Sequence, residues 1–173
     1  MNHIATIDHL TTDIGAVRVT ASAEGILQVH LLGRTHQPKP TKKDEPSSQA
    51  LDHATAALEQ ILEYLEGRRL FFNLPIDWSL VSTFQKQVLE ITQFIPFGET
   101  LSYGQIAAKL GKPRAGQAVG GALGRNPIPI IIPCHRVVAA NGNLTGFSAA
   151  DGILTKTWLL ELEGRKIVAQ KLV

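Results

Sequence analysis

With 173 residues, 44% of them hydrophobic and 18% charged, the chain can bury one core or two small ones, which excludes a disordered chain or a fibrous repeat. Its single cysteine excludes an internal disulfide and zinc sites built on cysteine pairs, and suits a reducing compartment. The net charge of +2 is unevenly placed: residues 1–80 carry seven Lys/Arg against ten Asp/Glu, and residues 81–173 carry ten against five, which turns the C-terminal half toward a polyanion.

The chain does not begin with a basic region followed by an apolar run, and no stretch approaches about 18 consecutive apolar residues. Neither a signal peptide nor a membrane span is expected, and the predicted location is cytoplasmic. Residues 6–32 read as hairpin-like strands that turn at Ile14-Gly15 and Glu24-Gly25. Between the turns Ala16–Ala21 alternates, and Ile26–Leu32 follows as a more buried strand. From Gly33 to Ser48 the composition shifts to Pro, Lys, Thr, Asp, Glu and Ser without periodicity, which predicts an exposed loop. Residues 50–66 space Leu51, Ala54, Leu58, Ile61, Leu62 and Leu65 at helical intervals before Gly67, so a helix should pack on the sheet. Leu70–Leu74 is expected to be a closing strand that stops at Pro75, before a linker around 76–80.

The second half reads as helices. Ser82 or Thr83 can cap a helix carrying Phe84, Val88, Leu89 and Ile91 on one face, ending at Pro96-Phe97-Gly98. Ser102 can cap a second, with Ile106, Ala107 and Leu110 inward. Gly111-Lys112-Pro113 is a turn, and a third helix runs from Arg114 to about Leu123. Two helices joined by so short a turn form a helix-turn-helix. The third helix contains Gly116, Gly120 and Gly121 beside Ala115, Ala118 and Ala122. Interior glycine costs roughly 0.5–1 kcal/mol relative to alanine, so close approach of another surface is implied. That surface is a neighbouring helix, a DNA groove, or both, with Lys112, Arg114 and Arg125 available to phosphates.

The most informative stretch is Asn126-Pro127-Ile128-Pro129-Ile130-Ile131-Ile132-Pro133-Cys134-His135-Arg136-Val137-Val138. Its prolines exclude a helix and a central strand and are expected to hold the run extended, with the isoleucines burying it. The run delivers a cysteine and a histidine side by side. A thiolate is the reactive form of cysteine, and a nearby imidazole can favour it. Read without context, Cys134 is equally a small buried hydrophobe and His135 a core histidine.

The string Asn-Pro-x-Pro-x-x-x-Pro-Cys-His-Arg-Val resembles the active-site signature of the O6-alkylguanine-DNA alkyltransferases, and the resemblance extends from about Phe84 to Gly164 and more weakly through the N-terminal half. The family's fold is a two-domain α/β (α+β) arrangement. It implies a small RNase H-like sheet-plus-helix supporting domain over residues 1–80 and a mostly helical, winged-helix-like DNA-binding and alkyl-acceptor domain over 81–173. The resemblance implies direct-reversal repair in which one alkyl group moves from O6-alkylguanine, with O4-alkylthymine as a further candidate, to Cys134, once per molecule. His135 then takes the thiol proton through a water, Glu163 orients the histidine, Asn126 organises the turn, and Tyr103 assists the leaving guanine. Read from the sequence alone, Glu163 is a solvated charge at a helix end and Tyr103 a packing residue.

The family's recognition helix enters the minor groove, and the target base is rotated out of the duplex. This assigns Gln117, Arg114, Ala115, Gly116, Ala118, Gly120, Lys112, Arg125 and Arg136 to DNA. Gln117 stands where the family has an arginine, and it lacks that residue's fixed charge and stacking plane. The substrate pocket is assigned to Tyr103, Pro129, Val137, Phe147, Ser148 and Ala149. Phe147 is expected to stack on a base, and alanines stand at 149 and 150 where glycines are common. The implied partner is double-stranded DNA carrying alkylated guanine, bound by a monomer that can cluster on DNA. No metal or cofactor is implied, since the acceptor is the protein. The alternatives are a non-catalytic lesion-recognition protein, whose relatives carry tryptophan at the cysteine position, a helix-turn-helix regulator, and a cysteine hydrolase.

Overall fold

The computed structural model describes residues 4–9, 11–33 and 46–173, and the chain divides into two compact units, Met1–Leu80 and Val81–Val173. Most of the stretch expected to be an exposed loop, residues 34–45, lies outside the described residues.

In the first unit β1 (Ala5–His9), β2 (Val17–Ala21) and β3 (Ile26–Leu31) form an antiparallel sheet in chain order. Val17, Val19 and Ala21 alternate into the core, as a strand with one covered face requires. β1 occupies the stretch ahead of the Ile14-Gly15 turn, where hairpin-like strands were expected. Helix α1 (Ser48–Leu65) packs on the sheet and is capped by Ser47, whose hydroxyl accepts from Ala50 N at 3.1 Å. Its buried face is Ala50, Ala54, Ala57, Ile61, Tyr64 and Leu65, while Leu51 is 45% exposed. The helix is therefore rotated from the leucine-rich face expected, so that alanines lie against the sheet.

Leu70–Leu74 is not a strand. Leu70 and Phe71 are exposed, and the backbone of Asn73 is held by a side chain instead of a neighbouring strand: its N–H donates to Gln60 Oε1 at 3.1 Å. Proline at 75 has no N–H for a ladder, and pairing with β3 is reduced to a bridge in which Ile26 N donates to Pro75 O (2.9 Å) and Asp77 N to Ile26 O (3.0 Å). Gly25 is required at that bridge, because a Cβ there would lie 2.5 Å from Pro75 O.

In the second unit α2 (Thr83–Gln93), α3 (Tyr103–Lys109) and α4 (Gly116–Leu123) pack through Val88, Leu89, Ile106, Ala107, Val119, Ala122 and Leu123. Ser82 caps α2, and Ser102 with Gln105 forms a reciprocal capping box on α3. Gly111, at φ +69°, makes the turn from α3 toward α4. A short parallel pair, β4 (Leu101–Ser102) with β5 (Val137–Val138), sets the start of α3 beside the exit of the cysteine segment. Helix α5 (Ile153–Leu162) follows, and a hairpin of β6 (Ile167–Val168) and β7 (Lys171–Leu172) ends the chain. The protein is thus a mixed α/β chain: a sheet with one helix, then a mainly helical unit. No helix among the described residues is long and apolar enough to cross a membrane.

Candidate active site

The run that carries Cys134 is folded into a turn, not extended. The prolines fix only their own φ, which leaves Ile130 free to take a left-handed φ of +72°. Ile132 N then donates to Ile128 O at 2.9 Å. Asn126 closes the loop from one side chain, with Nδ2 donating to Ile132 O (2.9 Å) and Oδ1 accepting from Ile128 N (3.0 Å). A β-branched residue at positive φ costs about 1–3 kcal/mol. Burial of Ile128, Ile130, Ile131 and Ile132 offsets it, at about 25 cal/mol per Å² of apolar surface.

After Pro133 the chain makes one 3-10 turn, Cys134–Arg136. With three residues per turn, consecutive side chains diverge by about a third of a circle. Cys134 is accordingly half-buried, whereas His135 and Arg136 are buried. The cysteine and histidine are neighbours in sequence with side chains on different sides of the turn.

His135 and Arg136 both meet Glu163, the residue at the C-terminal end of α5. His135 Nε2 lies 2.9 Å from Glu163 Oε1. Arg136 donates to the carboxylate from Nε (3.0 Å to both oxygens) and Nη2 (2.8 Å), and Gly98 N adds a further bond at 3.1 Å. The assignment of Arg136 to DNA is therefore corrected. At 5% exposure, with its guanidinium also bonded to Ile95 O, it cannot reach a phosphate, and a buried carboxylate needs such a compensating cation. Burial alone would raise the Glu163 pKa, but the bonds from His135 and Arg136 hold it down at about 2. Burial lowers that of His135, against the pull of Glu163. The carboxylate is thus anionic and the imidazole neutral at neutral pH. With the Nε2 proton directed at the carboxylate, the ring's lone pair stands on Nδ1.

One group at the site went unrecognised in the sequence. Lys156, on α5, is fully buried and donates from Nζ to Val137 O (2.6 Å) and Thr145 O (2.8 Å). Burial lowers its pKa to about 8, while the proximity of Cys134 acts in the opposite sense. Burial likewise pushes the Cys134 thiol up, opposed by a hydrogen bond from the Asn126 side chain and by the charge of Lys156. A signal was available: Lys156, Leu159, Leu160 and Glu163 lie at i, i+3, i+4 and i+7, one face of one helix.

A half-buried cysteine with an amide and an ammonium acting on its thiol, followed in the chain by a buried histidine–carboxylate pair, narrows the field, and comparison with known proteins decides it. Residues 83–165 match the 6-O-methylguanine DNA methyltransferase, DNA binding domain. A methylated-DNA--protein-cysteine methyltransferase of Mycobacterium tuberculosis is 39% identical over 164 residues, covering 94% of this chain and 93% of the relative. One from Methanosarcina acetivorans is 38% identical over 154 residues, covering 87% and 93%. The chain belongs to the methylated-DNA--protein-cysteine methyltransferase family. A crystal structure of Mycobacterium tuberculosis O6-methylguanine methyltransferase superposes with a TM-score of 0.75 at 38% identity, covering 98% of this chain and 96% of that one. A structure of Mycobacterium tuberculosis OGT in complex with DNA gives 0.74 at 36% identity, covering 93% and 92%.

In this methyltransferase the segment 141–151 closes over the same region. Tyr103 OH donates to Thr145 O at 3.0 Å, so one carbonyl receives both the phenol and Lys156. Phe147 is only 9% exposed, so its ring does not stand free to meet a base as expected. Pro129 and Val137 are buried, Ala149 is half-buried and Ser148 is exposed, with its hydroxyl donating to Gly124 O at 2.9 Å. Ala150 has φ +48°, a conformation that favours glycine. An apolar groove lined by Ile91, Phe94, Pro96 and Leu101 contains none of these residues.

On α4 and its approaches Gln117, Ala118, Lys112, Arg114 and Arg125 are exposed, and Ala115, Gly116 and Gly120 are partly covered. The Lys112 ammonium stands 5.3 Å over the Phe84 ring. A Cβ on Gly116 would meet nothing within 4 Å, one on Gly121 only the Arg125 guanidinium at 3.8 Å, and one on Gly120 the Tyr103 ring at 3.7 Å. Packing inside the protein therefore does not require glycine at 116 or 121.

Proposed function

We propose that this chain repairs alkylated DNA by transferring a methyl group from O6 of guanine to Sγ of Cys134, one transfer per molecule. The observation that carries this is the buried His135–Glu163 pair set beside the chain's only cysteine, within a family named for methyl transfer from DNA to protein cysteine. The resting thiol is held protonated by burial and the imidazole neutral, so the proton must move for attack to occur. It passes to His135 Nδ1 through a water, and the anionic Glu163 stabilises the imidazolium. The thiolate, favoured by Asn126 and Lys156, attacks the methyl carbon in line. The Sγ–C bond forms, the C–O6 bond breaks with its electron pair left on guanine, and guanine recovers one proton. Atoms and charge balance without a further reagent.

The target carbon is out of reach inside a stacked duplex, so the base must be extruded at a cost of a few kcal/mol. The exposed face of α4 lies against the minor groove, with Gln117 entering the vacated space and Lys112, Arg114 and Arg125 on phosphates. The absence of a side chain at Gly116 and Gly121 keeps that face flat. Tyr103, released from Thr145 O, donates its hydroxyl toward the leaving guanine. The first unit supports this reactive one, and a free thiol reagent suits work in the cytoplasm.

Intact and peptide mass spectrometry after mixing with duplex DNA containing O6-methylguanine tests the proposal. The expected result is a stoichiometric gain of one methyl on the Cys134 peptide, absent from Cys134→Ser. Tight lesion binding without a mass change would make the protein a recognition module, and turnover of an ester would make it a hydrolase.

A further inference from the structure

Helix α4 ends without a left-handed cap of its own. Its C-cap, Gly124, keeps helical dihedrals (φ −63°, ψ −17°), so no left-handed residue turns the backbone over the last carbonyls. Two of the last residues, Gly120 and Gly121, leave the end intrinsically loose. Backbone N–H groups just past the helix meet two of those carbonyls, Arg125 N donating to Ala122 O (3.3 Å) and Asn126 N to Leu123 O (3.0 Å), and side chains from other elements add to them. Gln85, on the buried face of α2 with Val88, Leu89 and Thr92, donates from Nε2 to Ala122 O at 3.2 Å and to Arg125 O at 2.8 Å. A primary amide nitrogen carries two N–H groups, one for each carbonyl. An apolar residue at this core position would bury equally well but could not do this, and a buried amide is tolerated where its hydrogen bonds are made. Arg125 is followed directly by Asn126, whose side chain closes the turn that holds Cys134.

We propose that Gln85 is a positioning residue for alkyl transfer: from the core of α2 it fixes the exit of α4, and so sets the register between the DNA-facing surface of that helix and the turn that carries Cys134. The inference rests on the reading of α4 as the DNA-facing helix. Gln85 touches neither nucleophile nor solvent-facing groove, and acts only through the two backbone carbonyls. Its loss leaves Cys134, His135, Glu163 and Lys156 with their own hydrogen bonds, while α4 is free to shift against them.

Gln85→Leu and Gln85→Glu both remove the amide donors at nearly constant size. Single-turnover rate constants are measured for each variant on O6-methylguanine in duplex DNA and on the free O6-methylguanine base, together with thermal melts. Free base needs the nucleophile but not the helix. The expected result is a free-base rate within about twofold of wild type and a duplex rate at least about tenfold lower, in protein that still melts cooperatively. Equal losses on both substrates, or no loss on either, would overturn the inference while leaving the repair function standing. If Gln85→Glu fails to fold, the leucine variant decides alone. A wild-type protein that transfers from neither substrate would remove the functional reading and this inference with it.

Discussion

Lys156 offers a perturbation whose size follows from its burial. The ordinary lysine pKa of 10.5 is lowered to about 8, and at 1.36 kcal/mol per pKa unit that gap means the folded protein disfavours the charged form by about 3 kcal/mol. Between about pH 8 and 10.5 the unfolded chain binds more protons than the folded one, so stability climbs with pH across that window. Below pH 8 the whole penalty is present. Lys156→Met removes it, but also strips a donor from Val137 O and one of the two from Thr145 O, a loss of about 1–3 kcal/mol. The two effects largely cancel. At pH 7 the variant should unfold within about 2 kcal/mol of its parent, and the climb above pH 8 should vanish. Urea unfolding across that pH range reads both, in a Cys134→Ser background so that the thiol does not titrate in the same window. With the cysteine present, losing the cation that favours the thiolate should slow methyl transfer about tenfold, equivalent to about 1.4 kcal/mol. Parallel stability curves for the two proteins would refute the buried charge, and an unchanged transfer rate would refute its coupling to Cys134.

Glu163→Gln acts in the opposite pH range. The carboxylate's pKa is lowered from 4.5 to about 2, so its contribution of about 3 kcal/mol is present above pH 4.5 and lost as pH falls toward 2. The glutamine variant also leaves Arg136 buried without its anion, so it should be about 3–5 kcal/mol less stable at pH 7, with the difference shrinking in acid. Denaturant melts at pH 7 and 3 check this, and a pH-independent difference would contradict it. Gln117→Arg should speed transfer from duplex DNA and leave the free-base rate unchanged; equal duplex rates would refute the role given to residue 117. Ala150→Gly relieves a residue at φ +48° and should raise stability by up to about 1 kcal/mol, seen as a melting-temperature rise of about 2–4 °C. The same variant should gain more on a benzyl than on a methyl adduct, and an equal gain would mean that the methyl group at 150 does not narrow the pocket.

Helices α2 to α4 were legible because their signals are local. Ser82, Ser102 with Gln105, and Gly111 each act within one turn of the helix they bound, and no distant partner can easily override a cap. Leu70–Leu74 misled for the converse reason: an apolar run becomes a strand only if an edge is free to pair, and here Gln60 and a single bridge at Ile76 take its place. The prolines around Cys134 were read as stiffening the whole run, yet they constrain their own φ and leave Ile130 to turn, which the Asn126 side chain then closes.

The two charged side chains misplaced or overlooked, Arg136 and Lys156, share a cause. Patterning rules send charge to the surface, and that default fails only where a buried opposite charge or a pair of carbonyls waits far along the chain. For Arg136 the partner is 27 residues away, and for Lys156 the carbonyls are 19 and 11 away. Such partners are set by the fold, not by neighbours in sequence. The exception is instructive. Once Glu163 is assigned to the site, helical spacing carries Lys156 to the same face two turns earlier, so one correctly placed functional residue makes the next one legible. The same step, taken from Asn126 back through Arg125 O, leads to Gln85.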